Sequence, residues 1–126
     1  MKVKELIKLI DGYLYNPTAN LEREIKGGCG ADLMSDVLAS IQPEAVLLTG
    51  LCNPQVIRTS MMADVAAVII VRGKIPPKET IALAAEEELA LISSQFGMFE
   101  LCGRLHRAGL PSLERSVGDG PCSCDE

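Results

Sequence analysis

The sequence predicts an α/β fold: a three-layer, mostly parallel four-stranded sheet with helices on both faces. Two observations carry this. Residues Ala45–Leu48 and Ala66–Val71 are apolar runs with no polar alternation, the pattern of strands buried on both faces, which occur mainly in parallel sheets covered by helices. Around them, apolar residues recur at helical spacing between turn signals, giving a leading helix and then strand-helix units of about twenty residues, the rhythm of right-handed crossovers.

The elements follow in order. Leu6, Ile7, Leu9 and Ile10, with Lys8 and Asp11 between them, form the stripe of a first helix. Gly12 and Asn16-Pro17 mark a turn, and Leu21–Ile25 reads as a short edge strand ending at Gly27-Gly28-Cys29-Gly30. A second helix is predicted with Asp32 as its N-cap and Asp36 as a first-turn acid; it carries Leu33, Met34, Val37, Leu38 and Ile41 and stops at Pro43. The strand Ala45–Leu48 closes at Asn53-Pro54, a capping residue followed by proline at the first helical position. Ile57, Met61 and Val65 then share one side of a third helix. Pro76-Pro77 opens a fourth, with Ile81, Ala84 and Ala85 facing inward and Glu86-Glu87-Glu88 at its far end. Leu89–Ile92 is the last strand. Met98, Leu101, Cys102 and Leu105 lie on one face of the last helix, which places Cys102 in the core, and Gly109 with Pro111 stops it. The periodic domain spans 1–110. Residues 111–126, rich in glycine, serine, proline and acid, read as a flexible Cys-containing tail, of which 112–126 are expected to be dispensable for folding.

Composition narrows the function. With 126 residues, 48% hydrophobic, no tryptophan and 3% aromatic residues, the chain suits one aliphatic core. A net charge of -5 argues against a phosphate-backbone footprint, so nucleic acid is not an expected partner. No run approaches a membrane span, the charged first helix does not resemble a signal peptide, and five cysteines read as reduced thiols of a cytoplasmic protein.

In a parallel sheet the loops after the strands gather on one edge, and the following helices point their N-termini there. That edge would collect Gly28, Cys29, Gly30 and Asp32, then Thr49, Gly50, Cys52 and Asn53, then Arg72, Gly73 and Lys74, then Ser93, Ser94 and Gln95. Backbone N–H groups, two cations and several hydroxyls there make the inventory of a site for a small anion or nucleotide; glycines serving tight turns beside solvated cations would look the same. Neither the Walker loop nor the dinucleotide glycine fingerprint is present. With no Cys-x-x-Cys pair, a closed metal site built by Cys122 and Cys124 with Cys29 or Cys52 is not favoured, and no cofactor is expected. The lone His106, beside Arg107 at a helix C-terminus, suits the helix dipole better than a catalytic triad, and no catalytic constellation is found.

The run Ala31-Asp32-Leu33-Met34-Ser35-Asp36-Val37-Leu38-Ala39, the segment from Leu48-Thr49-Gly50 to Asp64, the Val71-Arg72-Gly73-Lys74 turn and the ending Phe99-Glu100-Leu101-Cys102-Gly103-Arg104-Leu105 together resemble the DRTGG domain family over residues 1–110. The resemblance implies an α/β domain similar to the N-terminal domain of HPr kinase/phosphorylase. Such domains are regulatory and dimer-forming in larger enzymes, and occur as small stand-alone proteins in anaerobes. The chain departs from the naming motif: Leu51-Cys52-Asn53 replaces the Asp-Arg after the second strand, and Val71-Arg72-Gly73 replaces the Thr-Gly-Gly after the third. The expectation is a non-enzymatic regulatory or ligand-sensing module. It would bind an adenine nucleotide or other small anion at the loop edge and act as a homodimer or with a protein partner. The alternative is a cysteine-based redox or iron-sulfur accessory protein of an anaerobic enzyme complex.

Overall fold

The structure, a computed structural model, describes residues 1–114. Helix α1 (Val3–Leu9) leads into β1 (Tyr13–Leu14). Then β2 (Gly27–Gly30), α2 (Met34–Ser40), β3 (Ala45–Thr49), α3 (Pro54–Met62), β4 (Ala67–Ile70), α4 (Lys78–Glu86), β5 (Ala90–Ser93) and α5 (Met98–Arg107) follow. The sheet has five strands, not four, in the order β1-β5-β4-β3-β2. Four are parallel, and β1 adds an antiparallel edge with Tyr13 opposite Ser93 and Leu14 opposite Ile92.

From β2 to β5 the strands step across the sheet in one direction, and right-handed crossovers that never reverse direction keep their helices together. Accordingly, Val37 of α2, Val56 and Ile57 of α3 and Ala84 of α4 share one buried cluster with Leu47, Val68 and Leu91. The alternate strand residues Val46, Leu48, Ala67, Ile69 and Ile92 join a second cluster with Val3 and Leu6 of α1 and Leu101 and Leu105 of α5. The buried strands β3, β4 and β5 form the centre of both. Burying a Leu or Ile side chain of this kind contributes about 1.5–3 kcal/mol.

Several expectations are corrected. Leu21–Ile25 is not a strand. Its charges form ion pairs with other segments, Glu22 with Lys2 and Lys4 and Arg23 with Asp64, while Ile25 is buried and its N–H donates to the Met1 carbonyl. The strand is the glycine run that follows. At Gly27 the residue choice has a steric cause: a Cβ there would lie 2.5 Å from Leu113 Cγ and from the Pro111 carbonyl oxygen. Residues 111–114, assigned to the tail from sequence, run alongside β2. Gly28 N–H donates to Pro111 C=O at 2.9 Å, Leu113 N–H donates to Gly28 C=O at 2.9 Å, and Leu113 packs against the core. The rest of the tail reading, with Cys122 and Cys124, lies outside the described residues.

Helix α2 starts later than expected, with Leu33 in place of Asp32 at the N-cap. Cys102 is exposed and not core, as is Ala85. Met61 and Met62 also stand out, at 41% and 72% exposure. No helix among the described residues is long and apolar enough to cross a membrane.

Candidate functional site at the loop edge

The loops following β2, β3, β4 and β5 meet at the C-terminal edge of the sheet, where Asp32 makes the central contact. Its carboxylate accepts hydrogen bonds from the Gly50 N–H at 2.7 Å and the Thr49 hydroxyl at 3.0 Å, so it ties the end of β2 to the end of β3. This is why it does not cap α2. Thr49 Oγ1 in turn accepts from the Leu51 N–H at 3.2 Å, fixing the turn. On the other side of the same glycine, the Lys74 ammonium donates to the Gly50 carbonyl at 2.8 Å. A Cβ on Gly50 would lie 3.6 Å from both Asp32 Oδ1 and Lys74 Nζ, so a carboxylate and an ammonium flank one exposed turn.

The turn after β4 is held from the β5 loop. Arg72 and Gly73 adopt consecutive left-handed conformations, φ 66° and 68°, and their N–H groups donate to the Phe96 and Ser94 carbonyls at 2.8 and 2.7 Å. A left-handed backbone costs an L-residue about 1–2 kcal/mol, which suits Gly73 and is borne by Arg72. Ser93 Oγ donates to the Lys74 carbonyl at 3.1 Å. The Arg72 side chain passes the start of α5, its Cγ 3.6 Å from where a Gly97 Cβ would be. Arg72 and Lys74 are exposed, and among the described residues neither forms an ion pair within 4 Å. Asn53 and Gly97 are the N-caps of α3 and α5, and neither helix has a side-chain cap bond, so Asn53 does not use its amide as the sequence suggested. First-turn N–H groups of two helices, an arginine and a lysine therefore lie on one rim, the combination that binds anions.

Of the residues predicted from sequence, Asp32, Thr49, Gly50 and Lys74 form one hydrogen-bonded corner, with Ser93 and Arg72 bracing the adjoining turn. Gly28 and Gly30 are elsewhere. They line a cleft of about 380 Å³ between β2, α5 and residues 110–114, together with Phe99, Cys102, Gly103 and His106. Sequence reasoning missed this cleft, although a glycine inside the last helix was a signal for it.

The thiols here are not primed for reactivity. Burial, with the Glu114 charge, pushes Cys29 up to about 11, and burial likewise raises Cys102, so neither is disposed to form the thiolate that redox chemistry or metal binding needs. No group of three or more His, Cys, Asp or Glu side chains among the described residues could hold a metal ion.

No protein-family model matches the chain, and no curated protein matches it. Among solved structures, it is similar to the CBS and DRTGG domains of the regulatory region of Clostridium perfringens pyrophosphatase, complexed with an activator, diadenosine tetraphosphate. The TM-score is 0.65 at 14% identity, over 93% of this chain and 51% of that one. The likeness establishes a DRTGG-like α/β fold, and the chain spans about half the length of that structure.

Proposed function

We propose that this protein is a non-enzymatic regulatory module of the DRTGG type, sensing an adenine nucleotide or another small anion at the loop edge. The observation that carries the reading is the convergence on one rim of Arg72 and Lys74, neither in an ion pair among the described residues, with the starts of α3 and α5, which have no side-chain cap. The structural neighbour, a regulatory region bound to a nucleotide activator, supports it. The phosphate end of the ligand would take its charge from Arg72 and Lys74 and approach closely at Gly50, in the corner bounded by Thr49, Asn53 and Ser93. Asp32 would set the shape of that corner.

The same reading makes the protein a cytoplasmic homodimer that communicates through a partner. The exposed methionines of α3 are its dimer surface: Met61 and Met62 line a groove with Ile57, Arg58, Leu83 and Glu87. The test is a melting-temperature screen of nucleotides, phosphates and acyl phosphates. A ligand at about a hundred times its dissociation constant stabilises the fold by roughly 2.7 kcal/mol, and the reading predicts such a shift with an adenine nucleotide. A screen in which no anion moves the melting temperature would overturn it.

A further inference from the structure

The cleft between β2 and α5 has glycines at three positions of its wall, one of them at a cost in helix stability. Gly103 sits in the middle of α5, where alanine would favour the helix by about 1 kcal/mol, yet a Cβ there would meet nothing within 4 Å. The folded chain has no packing need for that glycine. On the facing strand, a Cβ on Gly30 would approach Met98 Sδ at 3.1 Å and Cys102 Sγ at 3.5 Å. Three glycines, Gly28, Gly30 and Gly103, thus keep the same space open. Glycine inside a strand or helix often marks close approach by something else.

What fits is constrained from three sides. Phe99, 93% exposed, lines the cleft, as does His106, so a flat ring could cover an aromatic surface that the fold leaves in water. Along β2 the backbone alternates in direction. Ala31 N–H donates to Leu48 C=O, so residues 29 and 31 face β3 while Gly28 and Gly30 face the free edge. Gly28 is satisfied by Pro111 and Leu113, but the N–H and C=O of Gly30 have no backbone partner among the described residues. Among the described residues, this leaves an adjacent donor and acceptor on the edge. Finally, Glu114 lines the cleft, and a carboxylate there disfavours an anionic group and can accept a hydrogen bond from an amino group.

We propose that this cleft receives a neutral, amino-bearing heteroaromatic ring of the aminopurine class, stacked on Phe99 and hydrogen-bonded to the backbone of Gly30. The inference deepens the proposed function: Asp32, at the Gly50 corner, is two residues beyond Gly30, so a ring in the cleft and a phosphate at the corner are separated by about 7 Å of chain, the scale of a ribose. The cleft is the base end of the site and the Lys74 corner its phosphate end.

The two ends are tested separately, by amide NMR of the full chain titrated with adenosine, which lacks phosphate, and with pyrophosphate, which lacks the ring. Adenosine should move the amides of residues 28–30 and 99–106. The Gly103→Leu variant fills the cleft while improving helix propensity. It should melt at or above the parent temperature and bind adenosine at least tenfold more weakly. Arg72→Ala/Lys74→Ala should leave adenosine binding intact and remove pyrophosphate binding. If adenosine binds and pyrophosphate does not, the base subsite stands and the anion reading falls; the reverse result sinks the base subsite alone. Adenosine that moves no cleft amide, or a Gly103→Leu protein that responds like the parent, overturns the proposal. So does light scattering in which Gly103→Leu merely turns a dimer into a monomer, because the cleft would then be an interface between copies.

Discussion

Replacing Asp32 with alanine should lower stability and raise anion affinity together. In the folded protein its carboxylate is the internal anion of the corner, accepting from the Gly50 N–H and the Thr49 hydroxyl. Hydrogen bonds to a charged partner contribute about 1.5–3 kcal/mol when protected. Asp32 is exposed and water replaces much of this at Gly50, whereas Thr49 is fully buried and recovers less. The net loss should be about 1–2 kcal/mol, a fall in melting temperature of roughly 3–8 °C for a domain of this size. The same change frees a backbone N–H and removes a negative charge beside Lys74, so pyrophosphate should bind about tenfold more tightly, equivalent to about 1.4 kcal/mol. Asp32→Asn keeps an acceptor and should show the affinity gain with a smaller stability loss. Urea denaturation and pyrophosphate titration of the three proteins read both quantities. A variant that binds anions more weakly than the parent would refute the reasoning, because Asp32 would then contact the ligand instead of competing with it.

Other outcomes follow from the same geometry. Asn16, 1% exposed, donates to the Ala84 and Leu89 carbonyls and accepts from the Leu91 N–H at 3.0 Å, so it stitches the end of α4 to β5. Asn16→Ala leaves the buried Leu89 carbonyl and Leu91 N–H without their side-chain partner, while the Ala84 carbonyl keeps the Leu89 N–H, and should cost about 2–5 kcal/mol in urea denaturation, at 1–3 kcal/mol per unsatisfied group; a loss under about 1 kcal/mol would contradict that role. Cys29, buried and raised from 9.0 to about 11, keeps its proton in the folded state to higher pH than in the unfolded state. The Cys29 contribution to stability should therefore be constant below pH 9 and be lost between 9 and 11, and Cys29→Ala should flatten part of that fall; parallel curves above pH 9 would show that the thiol contributes nothing. On the proposed dimer, the parent should scatter light as a dimer and Met62→Lys, which places a charge on the exposed side of α3, as a monomer; a monomeric parent would refute the dimer, and an unchanged dimer would place the interface elsewhere.

How much of this could be read from the sequence depended on how local the cause was. The strands β3 and β4 were legible because burial on both faces writes an uninterrupted apolar run, and the Asn53-Pro54 start of α3 because proline at the first turn is a local signal. β2 was not legible. Three of its four residues are glycines, poor strand formers, and at Gly27 the cause is the close crossing of Pro111 and Leu113, an approach encoded eighty residues away. β1, with two residues, owes its existence to pairing with β5. Asp32 was recognised as a site residue but assigned to the wrong partner, since an N-cap and a cross-strand acceptor look alike until the β3 loop is placed. Lys74 and Gly50 share one edge by topology alone, while their hydrogen bond depends on how the β3 and β4 loops settle against each other. The cleft was hidden because its walls are defined by the side chains they lack.

The central claim, that the loop edge binds an anionic ligand through Arg72 and Lys74, is tested most directly by calorimetric titration of ATP into the parent and into Arg72→Ala/Lys74→Ala. Both side chains are exposed and unpaired among the described residues, so the double variant should fold with nearly the parent stability. It should bind ATP about 10–100-fold more weakly, the loss of one or two charge-assisted contacts at about 1.4 kcal/mol per tenfold. Equal affinity in the two proteins, or no heat of binding in either, would contradict the account.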